Sequence, residues 1–282
     1  MASTTPFAYK FSWSPTGVIA ATRNGARYRE RGRVVSVAGG APLLAAAIPL
    51  TSGRLGRTLR LEVVPNRDSL TYACLYRIDH EAQTVTRGTL RYQGWCALFG
   101  KFDALGLTSA KAVTTPVPAG VTTWSELLCA LGVQPPTAPS SSSSSELLCA
   151  LGVQPPTAPS SSSSSSLSSS SAAEGASEGA SEGASEGAMR SALGSLGVWS
   201  AEGEAIGQHA SIADAFCALL SRKLSYGPQE RDACLLEHTL RVEFPQRPNS
   251  PQRPTQIISS SLVAFGAPRR ACCALMALLM AL

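Results

Sequence analysis

The chain has 282 residues, 44% hydrophobic and 15% charged, with a formal net charge of +5; that length suits one large domain or two ordinary ones. The charge is uneven: residues 1–133 hold 15 basic and 7 acidic residues, residues 134–188 hold 5 acidic and no basic ones, and the rest hold 9 against 7. Only 4 of the 24 basic residues are Lys, and the densest basic run, Arg23 to Arg33, has one aromatic and no nucleic-acid motif, so these arginines read as solvated surface.

In chain order, Ser14 and Pro15 open a helix over 16–24, Ser14 as N-cap and Pro15 at the first helical position, where its missing N–H costs nothing. Trp13 reads as a pocket wall or a core aromatic. Gly32–Val37 is a strand turned by Gly39 and Gly40. A strand, glycines and the Ala-rich 43–48 invite a nucleotide-loop reading, but there is no G-x-G-x-x-G, no Walker lysine and no acidic residue on a second strand. Leu59–Val64 alternates as a strand that Pro65 ends. Asn66 and Asp68 are turn formers, which places Arg67 at a strand's end, where sites gather.

Asp68–Tyr76 reads as a helix capped by Ser69, with Leu70, Ala73 and Cys74 inward. His80 and Glu81 form either a general-base pair or, more plainly, part of a solvated turn. Thr84–Tyr92 alternates β-branched and charged residues as a strand. Arg67, Arg87 and Arg91 would thus meet from two strand ends. Guanidinium groups bind carboxylates bidentately, so such a cluster suits a ligand with several carboxylates. The plain alternative is that these arginines pair with Asp68 or Glu62 and stabilise the strands.

Trp95, Leu98, Phe99, Phe102 and Leu105 give 94–107 a helical core face. Trp124–Leu131 is a short helix with Ser125 as its cap. Glu126–Ser145 and Glu146–Ser165 are identical, and Ser-Glu-Gly-Ala repeats from Ser177 to Ala188. Such composition has too little apolar side chain to offset ordering entropy, so disorder is expected there. Helices Ser191–Trp199 and Ser211–Leu224 follow, the second with Ile212, Phe216, Leu219 and Leu220 on one face. Ala233–Phe244 is a strand expected to cross back to the first domain, and Gln256–Phe265 is another.

Eight cysteines in this length form no disulfide scaffold, and His80, His209 and His238 make no metal-ligand pair. Cys74, Cys96, Cys217 and Cys234 read as reduced, buried thiols of an intracellular protein, cytoplasmic or mitochondrial. No signal peptide is recognisable. The apolar 271–282 is shorter than the roughly 20 residues of a membrane span, so no membrane partner is expected.

Four segments resemble the glutamate-forming saccharopine dehydrogenase family, whose enzyme also forms the second half of aminoadipic semialdehyde synthase. They are Tyr9-Lys10-Phe11-Ser12-Trp13-Ser14-Pro15, Pro65-Asn66-Arg67-Asp68-Ser69, Arg87-Gly88-Thr89-Leu90-Arg91-Tyr92-Gln93-Gly94 and Leu224-Ser225-Tyr226-Gly227-Pro228. The resemblance covers 6–133 and 190–266, the C-terminal part of that family. It implies an α/β (α+β) substrate-binding and dimerisation domain with an inserted helical lobe. Residues 1–92 would begin the α/β domain and 93–133 the lobe. Residues 134–188 would be the disordered insertion, 189–226 would complete the lobe, and 227–282 would return to the domain.

The same resemblance implies an oxidoreductase of lysine metabolism acting on the CH–NH group of saccharopine. The secondary amine passes a hydride to NAD or NADP, and the imine is hydrolysed to glutamate and aminoadipic semialdehyde. Arg67, Thr89, Leu90 and Arg91 stand at the family's saccharopine-contacting positions, and a homodimer is implied. No catalytic acid or base is assigned. The family's Rossmann domain lies upstream of the matched segments, so this chain is expected to bind no nucleotide and to be inactive alone. The alternative is a non-catalytic binding or dimerisation fragment, or a partial gene product with no activity alone.

Overall fold

The computed structural model describes residues 5–12, 14–135, 186–246, 248 and 251–266. Trp13, most of the repeats and the apolar tail lie outside the described residues, and so do the expectations made for them.

Helix α1 (Pro15–Arg23) starts with Ser14 at the N-cap position and Pro15 in the first turn, although Ser14 makes no side-chain cap bond. The arginine-rich run expected to be plain solvated surface holds strand β1 (Ala26–Glu30), paired antiparallel with β2 (Arg33–Val37). Arg27, Arg31 and Arg33 are exposed as expected, while Arg29 is half-buried and its Nη1 donates to the carbonyls of Asp79 and Ala82 at 2.5 and 3.0 Å. Next come α2 (Ala41–Ala45), β3 (Ile48–Pro49), α3 (Gly53–Thr58), β4 (Leu61–Pro65), β5 (Arg67–Asp68), α4 (Leu70–Leu75) and β6 (Gly88–Tyr92). They form two three-stranded sheets, ordered β2-β1-β5 and β3-β4-β6, in which only β1 and β5 run parallel.

Several boundaries differ from the sequence expectation for local reasons. Leu59 ends α3 instead of opening the strand, its N–H bonding the Leu55 carbonyl. Ser69 does not cap α4. Asp68 Oδ1 accepts from Leu70 N–H, while Ser69 Oγ accepts from Arg87 N–H at 2.9 Å and ties α4 to the next strand. Of the three residues expected inward, Ala73 is buried, Leu70 is half-buried and Cys74 is exposed. Residues 84–87 form only a bridge, Val85 to Arg29, before the ladder begins at Gly88.

Helix α5 (Trp95–Ala104) has the core face its periodicity predicts, with Trp95, Leu98, Phe99 and Phe102 buried. After a 3-10 turn at Lys111–Val113 comes α6 (Trp124–Ala130). Thr123, not Ser125, caps it: Thr123 Oγ1 accepts from Glu126 N–H and the Glu126 carboxylate accepts from Thr123 N–H, a capping box. Helices α7 (residues 186–195) and α8 (Ile212–Lys223) follow. Phe102 and Trp124 close on Phe216 at ring-centroid distances of 5.2 and 5.9 Å, so one core unites the helices with the N-terminal segment through Phe7 and Phe99.

Strands β7 (Ala233–Val242) and β8 (Gln256–Phe265) form a separate two-stranded ribbon. The chain returns to the first domain as expected, though not by joining its sheets: the ribbon rests on α3 through Glu237, whose carboxylate accepts from Arg54 and Leu55 N–H.

The loop before α8 carries a pH-sensitive clamp. Glu204 takes Arg222 Nη2 at 2.6 Å and Lys223 Nζ at 2.7 Å, and its carbonyl accepts Trp124 N–H. The bond from Lys223, aided by Arg222, holds its carboxyl below the usual glutamate value against the cost of burial. A depressed pKa gives stability that is complete above the unfolded-state value and is lost as pH falls through the folded one. Acid should therefore destabilise the wild-type chain more than Glu204→Gln, measured by urea unfolding at neutral pH and at about pH 3. Equal losses would show that the clamp adds nothing.

Candidate functional site

The sheet β3-β4-β6 is the platform. Its register sets Val64 opposite Thr89, Val63 opposite Leu90 and Glu62 opposite Arg91. Strand alternation then puts Thr89 and Arg91 on one face and Leu90 on the other. Arg91 lies against two rings, its guanidinium carbon 4.6 Å from the Trp95 centroid and 5.2 Å from that of Tyr9. Such a contact holds the planar group in place and leaves its charge uncancelled. Arg87 lies 4.1 Å over the Tyr72 ring.

The pairings offered as the plain alternative do not occur. Asp68 pairs with Arg27 at 3.4 Å. Glu62 is buried and spends its oxygens on the backbone, accepting from Cys96 N–H at 2.7 Å and Gly94 N–H at 3.3 Å. Among the described residues no carboxylate forms an ion pair with Arg67, Arg87 or Arg91. Arg67 is exposed and has φ +52°, a left-handed conformation uncommon for a non-glycine residue and often associated with functional sites.

The arginines are seated on different rings, Arg87 over Tyr72 and Arg91 against Trp95 and Tyr9. Asn66 N–H bonds the Arg87 carbonyl, so Arg67 and Arg87 stand near one end of β6. Arg91 is four residues further along, roughly 13 Å at the usual rise of a strand.

The structure also gathers the first and last sequence segments beside Arg91, which residue spacing alone did not indicate. Phe11 N–H bonds the Leu224 carbonyl, Phe11 bridges Ser225, and Lys10 pairs with Glu230 at 2.6 Å. Tyr226 is pushed up to about 12 by burial and by the negative charge of Asp232, so its hydroxyl keeps its proton at neutral pH. His80 pairs with Asp79 and is almost fully exposed, the solvated-turn reading. The Cys96 thiol is buried, and burial together with Glu62 pushes its pKa up, so it stays protonated.

The saccharopine dehydrogenase C-terminal domain matches residues 1–280. The chain belongs to this family. It is 34% identical over 245 residues to the mitochondrial alpha-aminoadipic semialdehyde synthase of Mus musculus, covering 86% of this chain and 22% of that protein. It is 29% identical over 266 residues to the saccharopine dehydrogenase [NADP(+), L-glutamate-forming] of Pyricularia oryzae, covering 94% and 50%. The solved apo saccharopine dehydrogenase (L-Glu forming) of Saccharomyces cerevisiae aligns with a TM-score of 0.64 and 26% identity, covering 96% of this chain and 51% of that one. The chain thus spans between about a fifth and a half of the length of these family members.

The glycine pair that invited a nucleotide reading has backbone reasons of its own. Gly39 lies against Arg23, where a side chain would run into the Arg23 carbonyl, and Gly40 (φ +81°) faces the Asp103 carboxylate. With Asp103 and the cation of Arg23 these residues line a cleft of about 230 Å³. The glycines serve close approach and a turn. Among the described residues no group of three or more His, Cys, Asp or Glu is placed to hold a metal, and no helix is long and apolar enough to cross a membrane.

Proposed function

We propose that this chain supplies the carboxylate-binding part of a saccharopine dehydrogenase site. The observation that carries the reading is Arg91, held between Tyr9 and Trp95 with no acidic partner, on the strand that also carries Thr89 and Leu90. Saccharopine carries three carboxylates, and several arginines without acidic partners suit such a ligand. Arg91 and Arg67 bind carboxylates, Thr89 donates a hydrogen bond, and Leu90 contributes its backbone. The proposal includes a homodimer and a helical lobe of 93–133 with 189–226, which the packing of Phe102 and Trp124 on Phe216 supports. NAD or NADP, where the complete enzyme uses it, is not assigned to the Gly39-Gly40 turn.

Lysine keeps the charge but loses the planar fork. Arg67→Lys and Arg91→Lys should each weaken saccharopine binding by about 1.5–3 kcal/mol, the range for a charged hydrogen bond. The measurement is calorimetric titration of the chain with saccharopine, repeated as a Michaelis constant in a chimera carrying the remaining length of a relative. Unchanged values for both variants would reject the site, because surface pairs are worth only about 0–1 kcal/mol.

A further inference from the structure

We propose that the cleft between the end of α1, the Gly39-Gly40 turn, α2 and α5 binds a small neutral amino acid, with its carboxylate on Arg23 and its ammonium on Asp103. Those two residues supply the charges of the cleft wall, and Ala41, Pro42 and Ala110 supply apolar contacts. Arg23 and Asp103 are both half-buried. Among the described residues neither forms an ion pair, with the other or with a third group. Arg23 Nε is shielded from solvent and has no hydrogen-bond partner. Asp103 accepts one long bond, from Thr108 Oγ1 at 3.5 Å. A charge drawn partly out of water without a partner costs free energy. Two of opposite sign on one cleft are therefore complementary to a ligand that carries both.

The two charges differ in what their helices explain. Arg23 stands in the last turn of α1, where the helix dipole favours a cation, so its position alone needs no ligand. Asp103 stands in the last turn of α5, where a carboxylate is disfavoured. A local rule broken in this way, with no cation beside it, marks a residue kept for binding. Gly40 leaves the approach to that carboxylate open: its φ is +81°, and a Cβ there would stand 3.4 Å from Asp103 Oδ2. The cleft of about 230 Å³ has room for roughly eight waters, and so for a molecule of about that many non-hydrogen atoms. L-Valine has that size, both charges and an apolar side chain. The cleft is also separate from the seat of Arg91. Trp95 begins α5, and Asp103 lies roughly 12 Å further along that helix at the usual rise. The inference therefore does not rest on the saccharopine reading.

Calorimetric titration of the full chain with L-valine in mildly acidic buffer tests it. Saturable binding is expected. Valinamide, which lacks the carboxylate, and N-acetylvaline, which lacks the ammonium, should each bind at least about tenfold more weakly, the loss of one charged hydrogen bond. Arg23→Gln and Asp103→Asn should weaken L-valine to the same degree, while Arg91→Lys leaves it unchanged. Asp103→Asn also takes a charge from the wrong end of a helix, so its melting temperature without ligand should not fall. That result separates loss of the site from loss of the fold. No saturation at tens of millimolar L-valine, an analogue that binds as well as L-valine, or unchanged binding by Arg23→Gln and Asp103→Asn would overturn the cleft site. If Arg91→Lys alone abolished binding, the amino acid would belong to the carboxylate site, and the saccharopine reading would stand without this one.

Discussion

Trp124→Ala should lower the unfolding free energy by about 3–5 kcal/mol, the range for emptying a fully buried aromatic site. Trp124 is 0% exposed and packs on Phe216, which in turn meets Phe102 of α5. Its N–H bonds the Glu204 carbonyl, and the same Glu204 clamps the end of α8. The residue therefore sits where α6, α8 and the intervening loop meet, and a cavity there has three supports to loosen. Trp124→Phe should lose much less, because it keeps most of the ring and removes an indole N–H that has no partner. Urea unfolding of the three proteins measures the series. A loss below about 1 kcal/mol for the Ala variant, the level of an ordinary surface substitution, would mean that the helices do not share one core.

What the sequence revealed and what it hid divide by range. Phe99, Phe102, Phe216 and Leu219 lie at helical spacing, so the faces of α5 and α8 were legible locally. Strand β6 was legible in its alternation, and with it the placing of Thr89, Leu90 and Arg91 on one strand. Cys74 is exposed against its expected inward place because a helix as short as α4 gives too few turns to separate two sides. β1 was hidden by its arginines, whose partners lie far along the chain: carbonyls about fifty residues away for Arg29 and the Asp68 carboxylate for Arg27. The seat of Arg91 depends on Tyr9 and Trp95, one of them far off in sequence, and no local period records such a contact. The ribbon was seen as two strands, but pairing is non-local, so its separation from the other sheets was not visible.

Glu62→Ala should cost about 3 kcal/mol or more, since it removes two bonds to a charged group at roughly 1.5–3 kcal/mol each and strands the donors. Glu62 caps α5 from a neighbouring strand. Its carboxylate meets the N–H groups of Gly94 and Cys96 at the helix's positive end, where an anion is favoured. Gly94 holds φ +95°, a conformation glycine takes freely, and so turns the chain from β6 into α5. The next residue is Trp95, whose ring stacks on Phe99 at 3.9 Å and faces Arg91. Losing Glu62 therefore frees the first turn of α5, tilts Trp95 and loosens Arg91 without touching Arg91 itself. Glu62→Gln keeps an acceptor of the same shape and should fall between the wild type and Glu62→Ala in stability. The Cys96 thiol gives a second readout: Glu62 helps burial to keep it protonated, so the Ala variant should react faster with a thiol reagent at mildly alkaline pH. Weaker saccharopine binding together with faster Cys96 labelling would place Glu62 as the residue that positions the Arg91 seat. Unchanged unfolding and unchanged labelling would remove it from that role.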